Sequence, residues 1–447
     1  MHPSFQRKQG VVSMDAQIWE WVEATPLIDT HEHLIEESAR VSGKLHERLL
    51  PCNDWAYLFS SYLNDDLANA GLPLEDEKQF LRPDVSAAEK YRLIAPYWER
   101  TRHTGYAQSI RETLRGLYGE DDLTAESAPR IAEKYHALIR PGFYADILRK
   151  RANIEHCQVN SLEHIFMESA EPDLLRQDLS ILAFSRLAPA DFDMIEQEVG
   201  TRPTTLDDWL AVIDSNFAAY GPRAVAVKCQ IAYSRALNFE PVPKERAARL
   251  FPHLIGNLRG AYHPLGPDDL KSLQDFMIRY CVTKAGDQGL PVKLHTGYLA
   301  GRDSMQLSRL RRNASDLAAL LRDFPATRFV FMHIGYPYEN EFIALAKHFR
   351  NAFIDMCWAW IIDPVASLRF LKSFLLTVPT NKLFTFGGDY IVVEPIFGHS
   401  RIARRGIAQA LSELVAEGWI AREECRDLID RIMRRNALEF FPHPCIR

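Results

Sequence analysis

From residue 152 onward the chain alternates between two textures, short and nearly unbroken apolar runs and longer stretches with helical apolar spacing. The runs are IEHCQVNS (154–161), LSILAFSRL (179–187), AVAVKCQIAY (224–233), LPVKLHTGY (290–298), RFVFMHIGY (328–336), AFIDMCWAW (352–360) and LFTFGGDY (383–390). Such runs read as parallel strands covered on both faces. Segments such as LDDWLAVIDSNFAAY and ASDLAALLRDF lie between them, with Asp or Asn near several starts and Gly or Pro after several ends, as helix capping prefers. An eighth run at 26–31 opens the pattern and a helical pair at 401–440 closes it. Eight strand–helix units predict a (β/α)8 barrel of the α/β class, with a doubly wound open sheet as the other compatible arrangement.

One region breaks the rhythm. Residues 34–150, including SAAEKYRLIAPYWERTRHTGYAQSIRETLRGLYG, are charged, aromatic and helix-patterned, and read as a helical insertion after the first strand. It should lie above the strand C-termini, where βα loops build active sites. The expected organisation is an N-terminal extension over 1–23, the barrel with its insertion over 24–440, and a tail over 441–447.

Composition narrows the partners. The 447 residues are 47% apolar and 25% charged, ordinary for a chain with an ample core. The net charge of −6 is spread along the chain, which favours a small-molecule substrate over nucleic acid or an anionic membrane. The seven Cys show no CxxC pairing, and the first residues, MHPSFQRKQGVVSM, lack a signal-peptide core. No stretch has the apolar length of a membrane span. The expected location is cytoplasmic, and a homo-oligomer is compatible with all of this.

The strand ends carry the chemistry. The first run ends in LIDTHEHL, with His31 and His33 two apart and therefore on one face of a strand. Strand 4 carries Lys228, strand 5 His295, strand 6 His333 and strand 8 Asp389, all towards the end where barrel enzymes place their reactive groups. A single strand histidine is ordinarily a satisfied core residue. Six metal-competent groups at strand ends point instead to a divalent cation, Zn2+ first, with Fe2+ or Mn2+ as alternatives. Glu32 should point away from the imidazoles, and Asp29 should share their face deeper in the barrel and orient a neighbouring ligand.

HxH on strand 1, His on strands 5 and 6 and Asp on strand 8, with VKLHTGY, FMHIGYPY and FGGDY, resemble the amidohydrolase superfamily and its amidohydrolase-2 branch over roughly residues 24–440. The resemblance implies metal ligation by His31, His33, His295 and Asp389. It implies that His333 is either a second-metal ligand or a catalytic, substrate-facing group. In two-metal members a carboxylated strand 4 lysine bridges the ions. Lys228 matches that place, with a carboxylate-paired lysine or a substrate contact as the other readings, so one ion is expected and two if Lys228 is carboxylated. The activity implied is metal-assisted hydrolysis of a C–N, ester or lactone bond, with Asp389 as general base and His333 and Lys228 as further catalytic groups. Gly387 and Gly388 would let backbone and ligand approach closely, unless they serve ordinary strand-end packing.

Around this core the expected substrate-binding residues are Tyr298, Tyr336, Trp358 and Trp360 at strand ends, the two Trp sharing a face by the period-two rule. Arg302, Arg401 and His399 join them from predicted βα loops, as do Arg235 and His263. The substrate would be small and polar, and acidic if an arginine engages it through two hydrogen bonds. Residues 53–150 and the last helices are also similar to uronate isomerases, which keep the HxH and the strand 8 Asp. Those enzymes carry Asp-Ser-Arg on strand 8, where this chain has Asp389, Tyr390 and Ile391, with Arg401 as a candidate to supply the charge. A metal-dependent decarboxylase is a further alternative, although those begin the first motif with Glu or Asp where this chain has His31. A barrel that binds without catalysis would be expected to lose ligands first, and the set is complete here.

Overall fold

Each apolar run overlaps a parallel strand in the computed structural model, which describes residues 12–258, 260, 265–302 and 305–442. The strands are β1 (Leu27–Glu32), β2 (Ile154–Val159), β3 (Leu175–Gln177), β4 (Leu179–Ser180) and β5 (Val227–Cys229). They continue as β6 (Val292–Leu294), β7 (Phe329–Phe331), β8 (Ala352–Asp355) and β9 (Leu383–Phe384). β1–β3 form one parallel ladder and β4–β9 another. Only Asp178 separates β3 from β4, so these are two halves of one strand, the first half paired to β2 and the second to β5. At the other seam, Thr30 N–H donates to the Phe386 carbonyl at 3.0 Å, Asp389 N–H to His31 at 3.0 Å and His33 N–H to Tyr390 at 2.8 Å. The architecture is the (β/α)8 barrel, with β1 bonded to the segment that follows β9.

The third strand differs from the expected run at 179–187. It occupies 175–180, and Leu182–Arg186 is a short helix. A continuous apolar run cannot by itself separate a buried strand from a buried helical turn. The same effect shortens other strands, because Ile231–Tyr233, His333–Gly335 and Ala359–Ile362 coil into helical turns directly after their strands. The closing helices begin earlier than 401, with Glu394–Ala416 followed by Arg422–Asp430.

Helices fill the segment between β1 and β2, the longest being Ala87–Thr101 and Ser127–Leu138. Trp55, Phe59, Phe80 and Trp98 meet edge to face and give this region its own aromatic core. A buried ion pair fastens it to the barrel, with Arg40 reaching Glu394 at 2.7 and 3.2 Å. At the opposite end of the barrel Ile28, Val330 and Phe384 pack against Phe440 and Phe441 of the last helix and its end. The boundaries shift accordingly. Helix Ala16–Ala24 buries Ile18 and Val22, so part of the expected 1–23 extension belongs to the packed body, and Phe441 of the expected tail is likewise buried. Among the described residues, no helix is long and apolar enough to cross a membrane, and the six described cysteines are free and buried.

Candidate active site

The period-two geometry of β1 delivers its two imidazoles together, with His31 Nε2 and His33 Nε2 3.3 Å apart. Each ring is oriented from behind. His33 Nδ1 sits 2.7 Å from the Asn160 carbonyl, an atom that can only accept, so Nδ1 carries a proton and Nε2 faces the centre. His31 Nδ1 lies 3.9 Å from Asp178, whose carboxylate takes two hydrogen bonds from Lys293 at 2.8 and 3.0 Å. Lys293 also donates to the Thr30 carbonyl at 2.8 Å and so braces β1 from inside the barrel.

Asp389 meets this pair from the other seam strand, its Oδ1 3.1 Å from His31 Nε2 and 3.3 Å from His33 Nε2. Burial pushes its carboxyl up, but the neighbouring His31 and His33 imidazoles outweigh that and leave it well below the usual carboxylate range. Burial, reinforced by the Lys228 charge, brings His31 down to about 4. The backbone of Asp389 is held from two sides. Tyr62, from the insertion, donates its hydroxyl to the Asp389 carbonyl. Asp29 accepts the N–H of His31 at 3.1 Å and that of Gly388 at 3.4 Å, tying the two ligand-bearing segments together. Asp29 thus acts on His31 through its backbone. Burial, the largest influence, raises Asp29 to about 6 despite its hydrogen bond with Glu32. Glu32 stays apart from the imidazoles and accepts Tyr390 N–H at 2.6 Å. A Cβ on Gly388 would stand 2.0 Å from the Glu32 carboxylate, so close approach is what this glycine provides.

His333 and His295 form a second imidazole pair. His333 Nδ1 donates to the Cys357 carbonyl at 2.9 Å, and His295 Nε2 to the Tyr298 carbonyl at 2.8 Å. Burial drives His333 down to about 3 and His295 well below its ordinary value. Both rings are therefore neutral, and their remaining nitrogens face each other as two lone pairs at 3.0 Å. Lys228 Nζ stands 3.3 Å from His31 Nε2, and burial lowers its pKa. The centre as a whole is rich in acceptors and poor in hydrogens to share among them. That donor set fits a divalent cation. His31, His33 and Asp389 each offer one ligand atom within 4.8 Å of the others, as do His333, Cys357 and Asp389. His295 is in neither set, because its ring is turned to His333 and Tyr298.

Backbone strain gathers at the same place. Tyr62, His333, Ile334, Trp358 and Asp389 all have φ between 51° and 67°, the left-handed region that L side chains avoid. They share one neighbourhood, since the Trp358 ring is 4.7 Å from Tyr62 and 5.3 Å from His333.

A cavity of about 540 Å³ opens above the imidazoles. His33, His295 and Asp389 form part of its wall, with Arg186, Gln230 and Tyr233 from the barrel and Tyr57, Tyr62, Asn64 and Asp65 from the insertion. None of the expected substrate-binding residues is on this wall. Tyr298 and Trp358 belong to the aromatic layer behind Tyr62, and the Tyr336 hydroxyl lies 3.4 Å from Asp363. Trp358 and Trp360 do not share a face, because the chain coils after β8 and the Trp360 indole donates to Thr385 at 2.9 Å. Arg302 grips Glu77 of the insertion at 2.7 and 2.8 Å, and Arg235 holds Asp275. His399 and Arg401 lie on helix Glu394–Ala416 rather than in a loop. His399 is buried against Phe386 and Tyr390, and Arg401 pairs with Glu23. His263 lies outside the described residues. The insertion's contribution to the wall had no sequence signal beyond its aromatic and polar content.

Comparison with known proteins agrees with this picture. Residues 240–443 match the family model described as Amidohydrolase. Protein fluG of Emericella nidulans is 22% identical over 437 residues, 93% of this chain, and the chain spans 45% of that protein's length. Uronate isomerase of Thermotoga maritima superposes with a TM-score of 0.76 at 17% identity, covering 98% of this chain and 100% of that one. Glucuronate isomerase of Caulobacter crescentus gives 0.73 at 17% identity over 97% and 96% of the two chains. At such identities the two superpositions speak for the fold.

Proposed function

We propose, with residues 240–443 matching the amidohydrolase family model and the barrel sharing the uronate-isomerase architecture, that this chain is a metal-dependent hydrolase of a small polar substrate. The observation that carries the reading is the position of Asp389, 3.1 Å from His31, 3.3 Å from His33 and lining the cavity. A divalent cation held by His31, His33 and Asp389 would supply Lewis acidity towards the scissile carbonyl and lower the pKa of water. Asp389 is placed to take a proton from the attacking water and return it to the leaving group. His333 and His295, both neutral, stand beside it as acceptors, and Lys228 faces His31 from below. Arg186, whose guanidinium pairs with Asp191, and Gln230 line the cavity, where Gln230 offers a polar substrate an amide.

A second reading, aldose–ketose isomerisation of a uronate, draws support from the full-length superposition on two isomerases. Against it, Ile391 lines the cavity, and Arg401, the candidate to replace the missing strand 8 charge, pairs with Glu23. The test is turnover of N-acyl compounds, lactones and uronates by the metal-loaded protein. Chelator-sensitive hydrolysis supports the proposal. Conversion of a uronate without hydrolysis, or release of CO2, overturns it.

A further inference from the structure

The buried thiol of Cys357 has no role in the hydrolytic reading above. β8 ends at Asp355, whose carboxylate accepts the Cys357 N–H at 2.8 Å, while the Cys357 carbonyl accepts the Nδ1–H of His333 at 2.9 Å. The residue is thus fixed on both sides, and the left-handed Trp358 that follows turns the chain away at once. Its side chain packs on Gly387, where a Cβ would lie 2.8 Å from both Cβ and Sγ of the cysteine. The glycine keeps that space open for the sulfur. Sγ, a His333 ring nitrogen and an Asp389 carboxylate oxygen all lie within 4.8 Å of one another. Among the described residues, Cys357 is the one cysteine that joins such a set.

We propose that Cys357 is a thiolate ligand in a second cation position, built with His333 and Asp389 and sharing Asp389 with the position at His31 and His33. The proposal rests on the metal-dependent reading above. It is independent of Lys228, since these three side chains make a donor set without a carbamate. On ligation the S–H bond breaks, a sulfur–cation bond forms and the proton leaves to solvent, with no change of oxidation state. A mixed nitrogen, oxygen and sulfur set favours Zn2+, Co2+ or Fe2+ over Mg2+ or Mn2+, which prefer oxygen.

The test is titration of the purified chain with Co2+, read by elemental analysis and near-ultraviolet absorption, where thiolate-to-cobalt charge transfer is diagnostic. The wild type is expected to bind two ions per chain and to show the band. Cys357→Ser should lose the band and one ion, while Cys281→Ser, in helix Pro267–Asp287, keeps both. Cobalt bound without the band in the wild type overturns the thiolate ligand and leaves the metal-dependent reading standing, whether or not the variants fold. A band that survives in Cys357→Ser also overturns it. Absence of any bound cobalt overturns both readings.

Discussion

Nζ of Lys228 stands 3.3 Å from Nε2 of His31 and 2.7 Å from the sulfur of Met332, fully buried and, among the described residues, without a carboxylate in hydrogen-bonding reach. Burial is the largest influence on it and lowers its pKa beside a metal-competent imidazole. Lys228→Met is expected to leave the number of bound cations unchanged and to lower kcat/KM about 10–100-fold, the usual effect of losing a group that supports a ligand. Elemental analysis and steady-state kinetics check this. A fall in cation count would identify Lys228 as a bridging carbamate.

Asp389 carries the proposed proton transfer. Asp389→Asn keeps the shape of the side chain and removes its basicity, so kcat should fall by about 10²–10⁴-fold. His31→Ala and Asp389→Ala should in addition strip bound metal, measured on protein purified without chelator.

Tyr62 tests the insertion's share in the site. Tyr62→Phe removes the hydrogen bond to the Asp389 carbonyl but keeps the ring against Trp358. Loss of one such bond is worth about 1 kcal/mol, so kcat/KM should fall roughly 5-fold, with metal content unchanged.

The ion pair between Arg40 and Glu394 should matter for stability. Arg40→Met leaves the Glu394 carboxylate buried beside Tyr135 and without its guanidinium, and about 3–5 kcal/mol of stability should go with it. Urea denaturation measures this. Glu394 belongs to helix Glu394–Ala416 and Arg40 to the insertion, so both should unfold in one transition.

Acid should weaken the fold through His399. Burial between Phe386 and Tyr390 lowers its pKa to about 3, against about 6.5 in an unfolded chain. Between those values the unfolded state binds the extra proton, so this contribution to stability falls as pH drops from 6.5 towards 3, by up to about 1.4 kcal/mol per pH unit. His399→Phe should flatten that part of the stability profile, read from denaturation midpoints across the range.

The metal-competent centre was legible because its signal is local. Two histidines at strand spacing, and single histidines, lysine and aspartate ending apolar runs, are one-dimensional patterns that the parallel barrel turns into proximity. The cavity wall was not legible, since Tyr57, Tyr62, Asn64 and Asp65 come from an insertion whose docking depends on long-range pairs such as Arg40 with Glu394. Arg401 and His399 looked like loop residues only because their helix starts at Glu394, earlier than its apolar spacing implies. Trp360 was misread because a period-two rule was carried past the end of β8 into a helical turn. Cys357 carried no signal at all, as a lone cysteine in an apolar run looks like packing.

The five left-handed residues around the site set function against thermostability. A non-glycine residue in that region costs about 1–3 kcal/mol, and Ile334, being β-branched, is the hardest to accommodate. Exchanging Ile334, Trp358 or Asp389 for glycine would relieve that local strain, and the exchange at Asp389 would also abolish the proposed base. A screen for heat resistance alone would therefore tend to erase the strained geometry of this barrel mouth, and with it the proposed chemistry.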